Sequence, residues 1–198
     1  MRSLENKLKE NLDIKWVDLC QYSILNLKLF KVSIKNYDFK YASKWIYGRK
    51  DILRHIPNMD VKSITLKDIE TLYITRIWTL IGSFSEKGLE KMQYDEEMFF
   101  RNQMAKCILA IVDCVLVINK EYDPSYKKRV EKFSSISSDK KLVDLAQWAL
   151  DEKLFPRTVG MTSEDCNNLY QSVHRLFFLH MYSSLSIYYK TKIDKPED

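Results

Sequence analysis

The run CILAIVDCVLVI, residues 107–118, constrains this chain more than any other stretch of its 198 residues. It is almost unbroken apolar sequence, yet it falls short of the roughly 20 residues a helix needs to cross a bilayer. It also carries a carboxylate, Asp113, near its centre. A helix that is apolar on every side must be enclosed by other elements, so the run reads as part of a core helix over 95–119. Composition indicates what encloses it. The chain has 4 Gly and 4 Pro against 12 Tyr and 9 Phe. Few turn residues and many aromatics favour long helices over a sandwich or barrel.

Periodicity supplies the other helices. Residues 66–83 form one amphipathic helix with Ile69, Leu72, Tyr73, Ile77 and Leu80 on one side. Thr65 is positioned to start it, with Asp68 three residues later. Another helix begins at DPSYKKRVEKF, where Asp123 can cap and Pro124 is tolerated in a first turn. Residues 139–152 give a fourth, and a fifth runs from Thr162 or Ser163 to about Tyr189. Five helices with connections of moderate length predict an antiparallel bundle.

The front of the chain reads differently. SLENKLKENL suggests a short helix, and IKWVDL, residues 14–19, a short buried strand with Asp18 in it. From about Asn36, YDFKYASKWIYG predicts a helix running into Gly48 as its C-cap, and RKDILRHIP a shorter helix stopped by Pro57. The change from mixed to purely helical periodicity falls at residues 58–64. It divides the chain into a partial α/β segment, 1–60, and a helical bundle domain, 61–198.

The formal net charge of +5 is concentrated in front: residues 1–60 carry 12 Lys and Arg against 7 acids, while the remainder carry 20 of each. A modest basic excess of this kind raises affinity for phosphate only slightly. The cysteines, Cys20, Cys107, Cys114 and Cys166, show no paired C-x-x-C spacing. Residues 1–12 are charged, unlike a signal peptide. A reducing cytoplasmic setting without membrane association is therefore expected.

The sequence holds no Walker loop, no G-x-G-x-x-G, no metal-ligand cysteine cluster and no H-E-x-x-H. One polar cluster does emerge from spacing. Lys106 and Asp113 lie seven residues apart on roughly one helix face, and Tyr122, Tyr126 and Arg129 follow at i, i+4 and i+7. Two readings are open. In one, Asp113 pairs with Lys106 or Arg129 inside the bundle and fixes helix register, because an unpaired buried aspartate is costly. In the other, the five residues form a substrate-binding wall: Lys106 and Arg129 for phosphate, Asp113 for a hydroxyl or metal, and Tyr122 and Tyr126 for stacking.

The run from the N-terminal helix through IKWVDL to FKYASKWIYGRKDILRHIP resembles the second half of a small nucleotidyltransferase domain with the polymerase-beta-like fold. The trailing region is similar to the helices that follow such domains, with Lys106, Ala110 and Asp113, then Tyr122, Ser125, Tyr126 and Arg129. The resemblance implies a mainly α chain, an incomplete α/β nucleotidyltransferase remnant followed by the bundle. It implies that Asp18 is the third of three metal-binding catalytic acids. It also implies Mg as cofactor where a partner or a parent chain completes the site. The family's glycine–serine turn and D-x-D pair belong upstream of that acid, and the 17 residues before Asp18 supply neither. Two metal ions need several carboxylates at close range. The expectation is therefore a nucleotidyltransferase-like protein without independent transfer activity that retains nucleotide or nucleic-acid binding. In the alternative reading of Asp18, it caps or pairs at a sheet edge.

RLFFLH, residues 175–180, resembles the R-x4-H pattern of helical ribonucleases and toxins. That resemblance implies a catalytic Arg175 and His180 near a two-fold axis, cleaving RNA without metal. The alternative is a helical interaction subunit, with FFLHMYSSLSIYY meeting a second copy of the chain as a homo-oligomer.

Overall fold

A computed structural model describes residues 20–82 and 94–193. The expected strand over 14–19, and Asp18 with it, lie outside the described residues. Mainly helical architecture is what the structure shows: among the described residues there are seven α-helices, two short 3-10 turns and no strand. They fall into two compact units, residues 20–31 with 44–58, and residues 32–43 with 59–193.

The smaller unit is built on α1, Ile24–Lys28, a short helix held by a capping box. The Ser23 hydroxyl accepts from the Asn26 amide at 3.1 Å, and the Asn26 side chain accepts in return from the Ser23 amide at 3.1 Å. It packs against the 3-10 turn Ile52–His55. Leu27 and Ile56 are buried in this unit.

The larger unit opens with α2, Ile34–Tyr41, capped by Ser33, whose hydroxyl accepts from the Asn36 amide at 3.2 Å. This helix ends at Ala42 and does not continue to Gly48 as the aromatic spacing predicts. Tyr37 and Tyr41 pack on each other with ring centroids 4.6 Å apart, and the Tyr41 hydroxyl bonds both the amide and the carbonyl of Met59. Beyond them Ile46 and Tyr47 are 89% and 95% exposed, so further helical turns would bury nothing. The chain turns instead, with Gly48 at φ +88° and the Trp45 indole donating to its carbonyl at 3.2 Å.

The helices of the bundle follow the sequence periods closely. They are α3, Leu66–Gly82; α4, Tyr94–Ile118; α5, Tyr126–Ile136; α6, Lys140–Leu154; and α7, Ser163–Tyr189. At the head of α3 the Asp68 carboxylate accepts from both the hydroxyl and the amide of Thr65, as that pairing predicts. The start of α5 is later than expected. Asp123 accepts from the Ser125 amide at 3.0 Å and Ser125 is the N-cap, so Pro124 lies before the helix.

The core helix α4 is the hub, packing against α3, α5, α6 and α7. From Met104 to Val117 nearly every side chain is buried, including Ile108, Ile111, Val112 and Leu116. It ends in a Schellman turn: the Glu121 amide donates to the Leu116 carbonyl at 2.8 Å, and the Lys120 amide to that of Val117 at 3.1 Å. Lys120 holds the left-handed position at φ +62°. The long α7 starts on a Thr162–Asp165 capping box and closes on Lys190, again left-handed.

Aromatic density in α7 is mostly spent inside the unit. Phe177 and Met181 are buried, Phe178, Tyr182 and Leu185 pack on the core, and Phe177 meets Tyr73 edge-on at 5.2 Å. Tyr73 in turn shares a buried hydrogen bond with the Ser184 hydroxyl at 3.2 Å. The stripe that stays exposed lies on α3, at Ile74, Trp78 and Ile81. No helix among the described residues is long and apolar enough to cross a membrane.

Candidate functional site

The polar cluster marked by spacing divides into two parts, both in the larger unit. The first is a closed network around Arg129, whose residue is 1% exposed. Its guanidinium lies 4.4 Å from the centre of the Tyr122 ring and 4.5 Å from that of Tyr126. Nη1 donates to both oxygens of Asp113 at 3.1 and 3.2 Å. Nη2 donates to Asp38 at 2.6 Å and to the Pro124 carbonyl at 3.3 Å, and Nε to the Asp123 carbonyl at 2.5 Å. These contacts engage all three nitrogens of the guanidinium. The Tyr122 hydroxyl completes the ring by donating to Asp38 at 2.9 Å.

The electrostatics of this network are those of a buried pair. Burial works against the Arg129 charge, and Asp113, Tyr122 and Asp38 overcome it, holding the guanidinium above its ordinary value. Burial likewise pushes the Asp113 carboxyl up to about 6, against the pull of Arg129. Asp38 is also raised by burial. Arg129 and Tyr122 are therefore committed to holding α2, α4 and α5 together. Their contacts match the register-fixing arrangement, and Arg129 is closed to solvent.

The second part is a pocket of about 50 Å³ among α3, α4, α5 and α6. Its polar lining is Arg76 from α3, Lys106 and Asp113 from α4, Tyr126 from α5 and Lys153 from α6, over an apolar surface of Leu72, Leu109 and Ala110. Arg76 Nε is buried without a hydrogen-bond partner. Burial, and then the neighbouring Arg76 charge, pull the Lys153 ammonium below its ordinary value. Lys106 Nζ reaches Gln103 Oε1 at 3.5 Å. The Tyr126 ring is within cation–π range of Lys153 at 5.9 Å as well as of Arg129, and burial raises its hydroxyl pKa. Three cations from three helices thus face one small space whose lone carboxylate is already paired with Arg129. Such a space attracts an anion.

Three of the residues marked in the sequence, Lys106, Asp113 and Tyr126, line this pocket, and two of its cations were not marked. Arg76 carries a signal in the sequence, as the one charged residue in the stretch from Thr71 to Gly82. Lys153 and Asp38 carry none, since each meets the site from a distant part of the chain.

The other marked residues stand apart. Arg175 is exposed and His180 half-buried on α7. Five positions on one helix set them on different faces. Burial lowers the His180 pKa, against the opposing charge of Asp139. Among the described residues, no group of three or more His, Cys, Asp or Glu could hold a metal ion. A larger open groove of about 410 Å³ lies beside Arg101, Trp148, Met161 and Leu169. Its one buried cation, Arg101, is bound to Glu152 through two hydrogen bonds. Comparison of the chain with protein-family models, with curated proteins and with solved structures returns no match.

Proposed function

We propose that this chain is a helical binding protein for a phosphate-bearing ligand, held through its phosphate by Arg76, Lys106 and Lys153. The observation that carries the reading is the convergence of these cations on one pocket, with Arg76 Nε buried and unpartnered. A buried donor left without an acceptor is unfavourable by about 1–3 kcal/mol, and a ligand oxygen removes that penalty. The volume sets what is enclosed. Sites that engulf a whole small molecule run from about 300 to 1,000 Å³, whereas about 50 Å³ takes one anionic group and leaves the rest of the ligand outside. The nucleotidyltransferase-like resemblance of the sequence supports a nucleotide or a nucleic-acid end as that ligand. The role proposed is binding, without nucleotidyl transfer by this chain alone.

Titration calorimetry with a nucleoside monophosphate tests the reading. Saturable binding is expected, weakened about tenfold or more by Arg76→Ala, in line with the strength of a charge-assisted hydrogen bond. Binding that is absent in the wild type, or indifferent to Arg76→Ala, overturns it.

A further inference from the structure

An anion pocket need not contain a carboxylate, and Asp113 works against the charge of any ligand that enters. Its place in the wall of this pocket therefore carries information about what the pocket accepts. An ionised carboxylate offers about four lone-pair sites. Arg129 Nη1 occupies one on each oxygen, at 3.1 and 3.2 Å. The remaining capacity is on a group that also lines the pocket, beside Arg76, Lys106 and Lys153. The cations satisfy the oxygens of an anion, and the carboxylate satisfies a hydrogen.

We propose that the pocket selects an oxyanion that keeps a hydrogen, namely orthophosphate or a singly protonated phosphate monoester, over sulfate or a phosphate diester. The inference rests on the anion-binding reading above and adds the class of anion. At neutral pH orthophosphate retains at least one O–H and donates it to Asp113. Sulfate has the same shape and nearly the same charge but no hydrogen, so its oxygen would face the carboxylate lone pairs directly. A site built around a hydrogen bond rejects an analogue that lacks the partner far more strongly than a merely shape-matched site does. Burial of Asp113 in the bundle reinforces the selection, because the repulsion is poorly screened there.

The test is calorimetry of the wild-type protein with orthophosphate and with sulfate at about pH 7.5, where both anions are largely dianions and charge attraction cancels. Orthophosphate is expected to bind at least about tenfold more tightly. A nucleoside 5′-monophosphate, whose last phosphate proton leaves at about pH 6, is titrated beside it from about pH 6 to about pH 7.5. Affinity above that of orthophosphate at the lower pH, falling as the proton leaves, marks the terminus of a larger molecule. Affinity below that of orthophosphate throughout marks the free ion, and affinity that stays above that of orthophosphate at about pH 7.5 overturns the inference. Asp113→Asn should bring phosphate and sulfate to within about twofold of each other, because the amide can donate to either. Should that variant fail to fold, the wild-type comparison still decides. Equal affinity of the wild type for both anions overturns the inference and leaves the anion-binding reading standing, whereas binding of neither anion overturns both.

Discussion

Arg129 and Arg76 reach the same stretch of the central helix, and their surroundings are opposite. Arg129 is enclosed by two tyrosine rings, two carboxylates and two backbone carbonyls, with all three nitrogens bonded. Arg76 has a buried Nε with no acceptor and two lysines across a small pocket. Asp113 stands between them, bonded to Arg129 and raised by burial against the pull of both charges. The difference teaches how to tell a structural cation from a binding one. An enclosed guanidinium bonded at every nitrogen holds helices together, and one with an unpartnered nitrogen among like charges holds a position that an anion can fill.

Arg129→Met is the harshest way to break this comparison. It leaves Asp113 and Asp38 in the bundle without their common partner, and removing one side of a buried pair is destabilising by about 3–5 kcal/mol. Urea unfolding followed by circular dichroism measures it. A loss below about 1 kcal/mol would show that the network does not hold the helices.

The next effect is a pH dependence. The Asp113 carboxyl, pushed up to about 6 in the fold, lies above the ordinary carboxylate value of about 4. Between these two values the folded protein binds more protons than the unfolded chain. The stability it contributes is complete below about pH 4 and is lost as pH rises through about 6. Wild type minus Asp113→Asn should therefore fall by on the order of 2 kcal/mol between those limits, measured as unfolding free energy at matched ionic strength. A difference that rises over the same window would mean that Arg129 outweighs burial at this site.

The smallest effect sharpens the other side. Lys153→Met removes one of three like charges from a partly buried setting. It should leave the ligand-free protein unchanged or more stable by up to about 1 kcal/mol at low salt, with orthophosphate affinity reduced. A thermal shift series with and without phosphate reads both. A destabilised variant with unchanged phosphate affinity would place Lys153 with the structural cations.

Much of this was legible in the residues. CILAIVDCVLVI could only be an enclosed helix, and it is the hub of the bundle. The periods of 66–83 and of the last helix gave both elements nearly to their ends. Tyr122, Tyr126 and Arg129 came together because their spacing is local, and Asp113 found Arg129, one of the two partners open to it. Where local spacing had no partner behind it, the reading failed. The aromatic run after Tyr41 suggested more helix, but Ile46 and Tyr47 stay exposed and the helix ends before them.

The sequence by itself determined which residues share a helix and which face of each helix is apolar, because those follow from a fixed 3.6-residue turn. Tertiary structure alone decided that Asp38 would reach Arg129 across 91 residues of chain. It also decided that Arg76, Lys106 and Lys153 would meet over one pocket. Those meetings depend on how the helices cross and how far each is shifted along its neighbour. Both are set by the packing of buried side chains from the whole bundle at once, and no local pattern around any one of the residues records the outcome.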